Sequence, residues 1–302
     1  MKNLQILDDF REHILNNRAM NQKDWELYQK SLFGCGIAME ETLKYLYNTR
    51  PSTDTFYQWL FQHTTNNDEI ETIGDVLTPN DLTFWDKNGY IVINNAICKE
   101  DCEQTQAAIW AYLNASPDDT ESWYSNHEAK EGLMVLFTKH STLEKNRACA
   151  KIRRAYEQLY KTNKIYKTID KVSFNPPETD TYKFKGSPLH WDVSLHPPIS
   201  FRLQGLLYLT DVKVDSGGFH CVAGFHNQFD NWLRNIPLNA NPRDVAIQEL
   251  QPIPVLGNAG DFIIWHQALP HCATPNRGAH PRMVQYLTYL PIEGQEEMKM
   301  WI

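Results

Sequence analysis

Apolar positions along the chain change their period once. Up to residue 76 they recur at helical spacing. Leu4, Ile6, Leu7, Phe10 and Ile14 form one such series, which Asn16-Asn17 is placed to stop. A second helical pattern runs from Trp25 through Tyr47 and is weakened at Phe33-Gly34-Cys35-Gly36, where two glycines predict a kink or a close helix crossing. Pro51 ends that element, and Ser52 can cap a third helix carrying Phe56, Trp59 and Leu60. The aromatics crowded here, from Trp25, Tyr28 and Phe33 to Tyr57 and Trp59, predict a core packed on the rest of the protein, with a lid or a homodimer face as the alternative.

The pattern changes near residue 77. Thr78-Pro79-Asn80-Asp81 reads as the cap of a short helix holding Phe84 and Trp85. Asn88-Gly89 then turns into a strand at 90–93, and amphipathic helices are expected over 99–113 and 147–162. From about 171 the runs become strand-like and are broken by Pro, Gly and Asp: 171–174, 205–209, 218–222, 261–265 and 283–290. Helices followed by many short strands predict an α+β fold with a sandwich or barrel, divided into a helical extension at 1–76 and a second unit at 77–302.

Composition narrows the function classes. With 42% apolar and 22% charged residues the chain is that of an ordinary globular protein. A net charge of −8 argues against a general nucleic-acid binder, which needs clustered Lys and Arg. No run of about 18 apolar residues predicts a membrane span, and the first residues lack the apolar core of a secretory signal. Six scattered cysteines with no Cys-x-x-Cys pair predict a reduced, cytoplasmic protein.

Candidate chemistry lies among the 11 histidines. His190-Trp191-Asp192 is the chain's His-x-Asp, and on an extended strand residues two apart face the same side. An imidazole and a carboxylate so placed can share one metal, and a distant histidine would complete a two-His-one-carboxylate triad with open positions on iron(II). His271, downstream of the turn and strand 260–265, is the distal candidate. Eleven residues later Arg282 opens the apolar run Met283-Val284-Gln285-Tyr286. A guanidinium there is costly unless paired, and its planar fork suits a carboxylate.

Four segments carry a specific resemblance: LTPNDLTFWDKNGYIVI, LHWDVSL, SGGFHCVAGFH and GDFIIWHQALPHCATPNRGAHPR. In their order and spacing they resemble the phytanoyl-CoA dioxygenase family of iron(II)/2-oxoglutarate oxygenases, over residues 77–292. The resemblance implies a double-stranded β-helix, a jelly roll, over about 88–292, a closure that hides the edges of short antiparallel strands. It implies His190, Asp192 and His271 as iron ligands, Arg282 as the partner of the distal carboxylate of 2-oxoglutarate, and O2 as the second co-substrate. Where the family has a serine two residues after the distal histidine, this chain has Ala273, so the hydroxyl comes from Thr274 or from elsewhere. Asn175 falls where the family has a polar residue lining the site. Gln204 either reaches the site or faces solvent.

His266 reads as a supporting or packing residue, Trp191 as core, and His220 and His226 as loop supports. His196 reads as a surface residue or a substrate contact, and Lys183 and Lys185 as a solvated loop or a lure for anions. A carboxylate at 192 argues against the halogenases of this kind, which leave that position small. The expected reaction is hydroxylation, or desaturation or dealkylation, of a small metabolite, with release of succinate and CO2. An amino acid or a natural-product intermediate, such as a mycosporine-type compound, fits better than an acyl-CoA, for which no basic patch is evident. The alternatives are a non-catalytic binding protein on an oxygenase scaffold and a cupin-type isomerase or hydrolase.

Overall fold

Side-chain caps decide where the early helices begin. Asn21, Ser52 and Thr78 each accept a hydrogen bond from the backbone N–H three residues on, and Thr78 with Asp81 forms a reciprocal capping box. The computed structural model describes residues 2–64, 71–195, 199–237 and 239–292. Its first four helices are α1 (Lys2–Leu15), α2 (Gln22–Gly34), α3 (Met39–Thr49) and α4 (Thr53–His63). The pattern over 25–47 is therefore two helices and not one kinked helix. Gly36 takes a left-handed φ of 70° between them, a conformation that ends a helix outright.

The chain continues with α5 (Pro79–Asn88) and β1 (Tyr90–Ile93), joined at Gly89 in the left-handed region. There follow α6 (Lys99–Tyr112), β2 (Lys130–Glu131), β3 (Met134–Val135), α7 (Ser141–Arg147), α8 (Ala150–Tyr160), β4 (Ile165–Lys167), β5 (Val172–Asn175), β6 (Leu203–Tyr208) and β7 (Phe219–Cys221). The chain ends, within the described residues, with α9 (Phe229–Asn235), α10 (Pro242–Glu249), β8 (Ile253–Pro254), β9 (Phe262–His266), β10 (His271–Ala273), β11 (Arg282–Tyr286) and β12 (Tyr289–Pro291). The apolar run 283–290 is split: β11 lies in the large sheet, while β12 pairs with β4.

Seven strands form one sheet in the order β1-β9-β6-β11-β5-β3-β2, and β10-β7-β8 form a second, with antiparallel pairing throughout. The two sheets enclose Leu206, Tyr208, Phe219, Cys221, Ile263, Trp265 and Val284. The outward face of the large sheet carries Leu203, Leu207, Phe262, Ile264 and Met283, packed under α6 and α8 through Ile109, Ile152 and Tyr156. Neighbouring residues of β6, β9 and β11 thus alternate between two cores. Both faces being buried, the strands read as continuous apolar runs. This is the jelly-roll arrangement of an α+β fold.

Helices α1–α4 have their own core, built on Leu7, Phe10, Leu32, Leu46 and Phe56, into which Ile169, between β4 and β5, inserts. Polar ties join the two: Glu26 to Arg202 at 2.5 Å, Glu40 to Lys171 at 2.6 Å, and the Thr138 hydroxyl donating to Glu41 at 3.3 Å.

Helix α8 approaches the large sheet closely at Gly205. A Cβ there would lie 2.2 Å from the Tyr156 hydroxyl and 2.7 Å from the Leu287 carbonyl, and that hydroxyl already donates to Leu287 at 3.2 Å. The tyrosine is fully buried and has nowhere to move. Gly205→Ala is therefore expected to destabilise the fold by about 1–3 kcal/mol, the usual range for overpacking, read as a lowered urea midpoint at unchanged slope.

Candidate metal centre and its cavity

His190 and His271 are joined by the backbone. Each accepts a hydrogen bond from the other's N–H, at 2.9 and 3.0 Å, in a single antiparallel bridge. That pairing sets the two imidazoles side by side, with ring centroids 4.7 Å apart. Asp192, two residues beyond His190, returns to the same side, as the alternation of an extended segment requires. Its Oδ1 lies 3.5 Å from His190 Nε2 and its Oδ2 3.2 Å from His271 Nε2. The three ligand atoms lie within 4.8 Å of one another. Ligand bonds of about 2.0–2.2 Å put neighbouring donors on one ion roughly 3 Å apart, so this spacing suits a single metal.

The histidine tautomers are set from behind. His190 Nδ1 bonds the Pro188 carbonyl at 2.8 Å and His271 Nδ1 the Leu269 carbonyl at 3.1 Å. Since a carbonyl only accepts, both Nδ1 atoms carry a proton, which leaves Nε2 as the atom each ring turns to Asp192 and the one it would offer to a metal on losing its own proton. Burial alone would raise the Asp192 pKa, but hydrogen bonds from His190, His271 and Gln204 together with the His271 charge hold the carboxyl well below its usual range. Burial pulls the His190 pKa down, and the Asp192 carboxylate more than reverses it.

The segment bearing these ligands is clamped on its far side. Trp191 turns away from the centre into the core against Phe225, Phe229 and Trp232, and its indole N–H donates to the Ala268 carbonyl at 2.9 Å. Arg243 on α10 spreads its guanidinium over the carbonyls on either side of Asp192, Trp191 at 2.8 Å and Val193 at 2.9 Å.

The centre opens into a cavity of about 750 Å³, within the range of small-ligand sites. Arg282, Val284 and Tyr286 share the inner face of β11, so Arg282 reaches the cavity from the strand head. It is 2% exposed and donates to Ser173 Oγ at 3.0 Å and to the Tyr286 hydroxyl. Among the described residues no carboxylate pairs with it, and its Nε has no partner. Burial lowers its pKa, and the neighbouring Tyr286 and Tyr208 oppose that shift. Two more buried polar atoms on this wall lack partners: Gln204 Oε1 and the Trp265 indole N–H, which face each other across β6 and β9. A desolvated cation beside unpartnered polar groups fits a small carboxylate held next to the metal.

Gln204 reaches the centre, donating to Asp192 Oδ2 at 2.8 Å. Asn175 and Thr274 do not line the cavity. The Asn175 amide, opposite Arg282 in the register, donates to the Thr274 carbonyl at 3.2 Å, and its own carbonyl accepts from Asn276. These two residues hold the turn behind the site, and Ala273 is the one that lines it. His266 lies against His226 and Phe201 with its ring tilted to both, His226 braces the Asp86 carbonyl, and His220 bonds Gly218. Lys185 lines the cavity, while Arg277 is 74% exposed, 4.0 Å from Glu178. His196 lies outside the described residues.

Sequence reasoning passed over four contributors. Tyr286 and Ser173 were available from alternation, lying on the same face as Arg282. Arg243 acts on backbone carbonyls, which leave no residue pattern to read. The fourth is the wall provided by α2 and α3, including Trp25, Phe33, Met39 and Leu43, which only tertiary packing reveals.

Comparison with known proteins bears on the fold and the family. A Dictyostelium discoideum protein whose name assigns it, provisionally, to the phytanoyl-CoA dioxygenases is 21% identical over 267 residues, covering 70% of this chain and 75% of its own. Among solved structures, SnoK, described as a non-heme alpha-ketoglutarate-dependent carbocyclase from nogalamycin biosynthesis, superposes with a TM-score of 0.53 at 19% identity, over 71% of this chain and 84% of its own. HygX from Streptomyces hygroscopicus, with nickel and 2-oxoglutarate bound, gives 0.52 at 14% identity, over 72% of this chain and 88% of its own. At these identities the structural likeness speaks for the fold. The profile of the family described as "Phytanoyl-CoA dioxygenase (PhyH)" matches residues 85–284, two thirds of the chain, and the protein accordingly belongs to the phytanoyl-CoA dioxygenase family of iron(II)- and 2-oxoglutarate-dependent oxygenases.

Proposed function

We propose that this oxygenase oxidises a small metabolite, by hydroxylation or by a desaturation or dealkylation that begins at the same C–H bond, with release of succinate and CO2. We further propose that His190, Asp192 and His271 hold the iron and that Arg282 binds the far carboxylate of 2-oxoglutarate. One observation carries the reading: a buried arginine without a carboxylate partner opens into the same cavity as a His-Asp-His cluster whose free nitrogens converge. When bound, the iron with 2-oxoglutarate and O2 supplies the oxidising power.

The chain's own task is positioning. Pro188 and Leu269 carbonyls fix the imidazoles, Gln204 fixes one Asp192 oxygen, and Ser173 and Tyr286 aim Arg282. The carboxylate at 192 supports oxidation over halogenation. The reading takes 1–76 as a helical extension and 77–302 as the dioxygenase unit. HygX has also been solved with nickel, 2-oxoglutarate and hygromycin B bound, and SnoK is described as coming from nogalamycin biosynthesis, which supports a natural-product intermediate as substrate. All six cysteines are free, as suits a reducing cytoplasm, and no described helix is long and apolar enough to cross a membrane.

The test is an anaerobic iron(II)/2-oxoglutarate complex, followed by aerobic screening of a metabolite extract for succinate release. A protein that gives no visible charge-transfer band and never forms succinate would end the proposal. Asp192→Ala is expected to abolish substrate oxidation while two imidazoles retain weak metal binding. Arg282→Ala removes one half of a buried charge pair worth about 3–5 kcal/mol. At about 1.4 kcal/mol per tenfold, the apparent 2-oxoglutarate constant should rise by about two orders of magnitude or more, with iron affinity nearly unchanged. Arg282→Lys should recover only part of that loss, a point charge being no substitute for the fork. Arg243→Ala should weaken cobalt(II) binding by about 10–100-fold with all three ligands intact, measured by absorption titration.

A further inference from the structure

We propose that the face of α2 and α3 turned toward the cavity is the substrate-recognition wall, and that the substrate presents an apolar body to it. The proposal rests on the oxygenase reading of the metal end and adds the opposite end. Trp25, Gln29 and Phe33 stand four residues apart on α2, and Met39 and Leu43 four apart on α3, so each set forms one stripe on its helix. Both stripes line the same cavity as His271 and Arg282. Trp25 and Leu43 are only half-buried although they pack against the extension's core, and both line the cavity.

Leu133, Met134 and Ile169, which lie outside α2 and α3, line the same cavity and add to its apolar surface. Of the charged groups on this lining, Glu131 and Lys185 come from outside α2 and α3, and two of the carboxylates are engaged. Glu40 is paired with Lys171 at 2.6 Å, and Asp170 accepts from the Thr168 hydroxyl. The metal half is polar, with Asp192, Gln204 and Arg282. This division asks for an amphipathic molecule: a polar or ordinary reacting end near the metal and a hydrocarbon ring or branched body against α2 and α3. A volume of about 750 Å³ leaves room beside 2-oxoglutarate for a ligand well beyond a free amino acid. The wall lies before residue 85, where the family match begins, so it belongs to this chain's own extension.

The test uses the full-length protein loaded with manganese(II) and 2-oxoglutarate, and N-phenyl-1-naphthylamine as the probe. This fluorophore is neutral and apolar, so lysines and Arg282 cannot account for its binding. Saturable binding to one site is expected. Leu43→Glu should weaken it by about tenfold or more, because a charge then faces the probe. Leu43→Trp, which fills the space without a charge, should weaken it as well. Phe61→Glu, on α4 at a position 67% exposed, should leave it unchanged. Circular dichroism and the charge-transfer band of the anaerobic iron(II)/2-oxoglutarate complex establish that each variant is folded and loaded. Folded Leu43→Glu and Leu43→Trp proteins that bind the probe like the wild type would overturn the proposal, as would a wild type with no saturable site. A wild type that binds the probe but shows no charge-transfer band would refute the oxygenase reading and leave the apolar wall standing.

Discussion

Everything at the centre depends on two backbone hydrogen bonds, those exchanged by His190 and His271. They join a short loop to the start of β10 at a single residue pair, and they set the spacing of both imidazoles before any metal is considered. Asp192 then needs only the alternation of an extended chain to arrive between them. Each remaining contact protects that arrangement: carbonyls on Nδ1, the Trp191 anchor in the core, and the Arg243 fork across the flanking carbonyls. The centre is built by main-chain geometry, with side chains supplying the chemistry.

How legible this was follows from the kind of interaction involved. Elements with local signatures were readable: the Thr78–Asp81 capping box, the Asn16-Asn17 stop, strands β5, β6, β7, β9 and β11, and the sandwich or barrel that many short strands imply, whereas the two- and three-residue strands β8 and β10 were not. Arg282 was readable too, since a charge at the head of an apolar strand has few uses. Boundaries set by backbone conformation were less so. Gly36 ends a helix where its sequence context allowed a kink, and 283–290 looks uniform although Leu287 and Thr288 separate strands of two different sheets. Asn175 and Thr274 show the limit of carrying roles over by position. Asn175 ends β5 and Thr274 follows β10, and the Asn175 amide is spent on the Thr274 carbonyl, so the pair lies outside the cavity lining.

The N-terminal helices were hardest to interpret from sequence because their apolar residues serve two ends. Leu32, Leu46 and Phe56 close a core of their own, while Trp25 and Leu43 on the same helices look outward into the cavity. Helical periodicity marks both sets as apolar and does not separate them. What separates them is the docking of the extension through Glu26–Arg202 and Glu40–Lys171, contacts between residues far apart in the chain.

The cavity is bounded by residues as distant in sequence as Trp25 and Thr288. No short piece of the polypeptide encloses it, so it exists only when both ends of the described chain are in place. A ligand filling it would therefore bind the complete native state and essentially nothing else. Its binding energy becomes folding energy, growing as RT ln(1 + [L]/Kd) with free ligand. The heat resistance of this protein is thus a gauge of how fully its site is loaded, and a chain starved of metal, co-substrate and substrate would open at a lower temperature than the same chain at work.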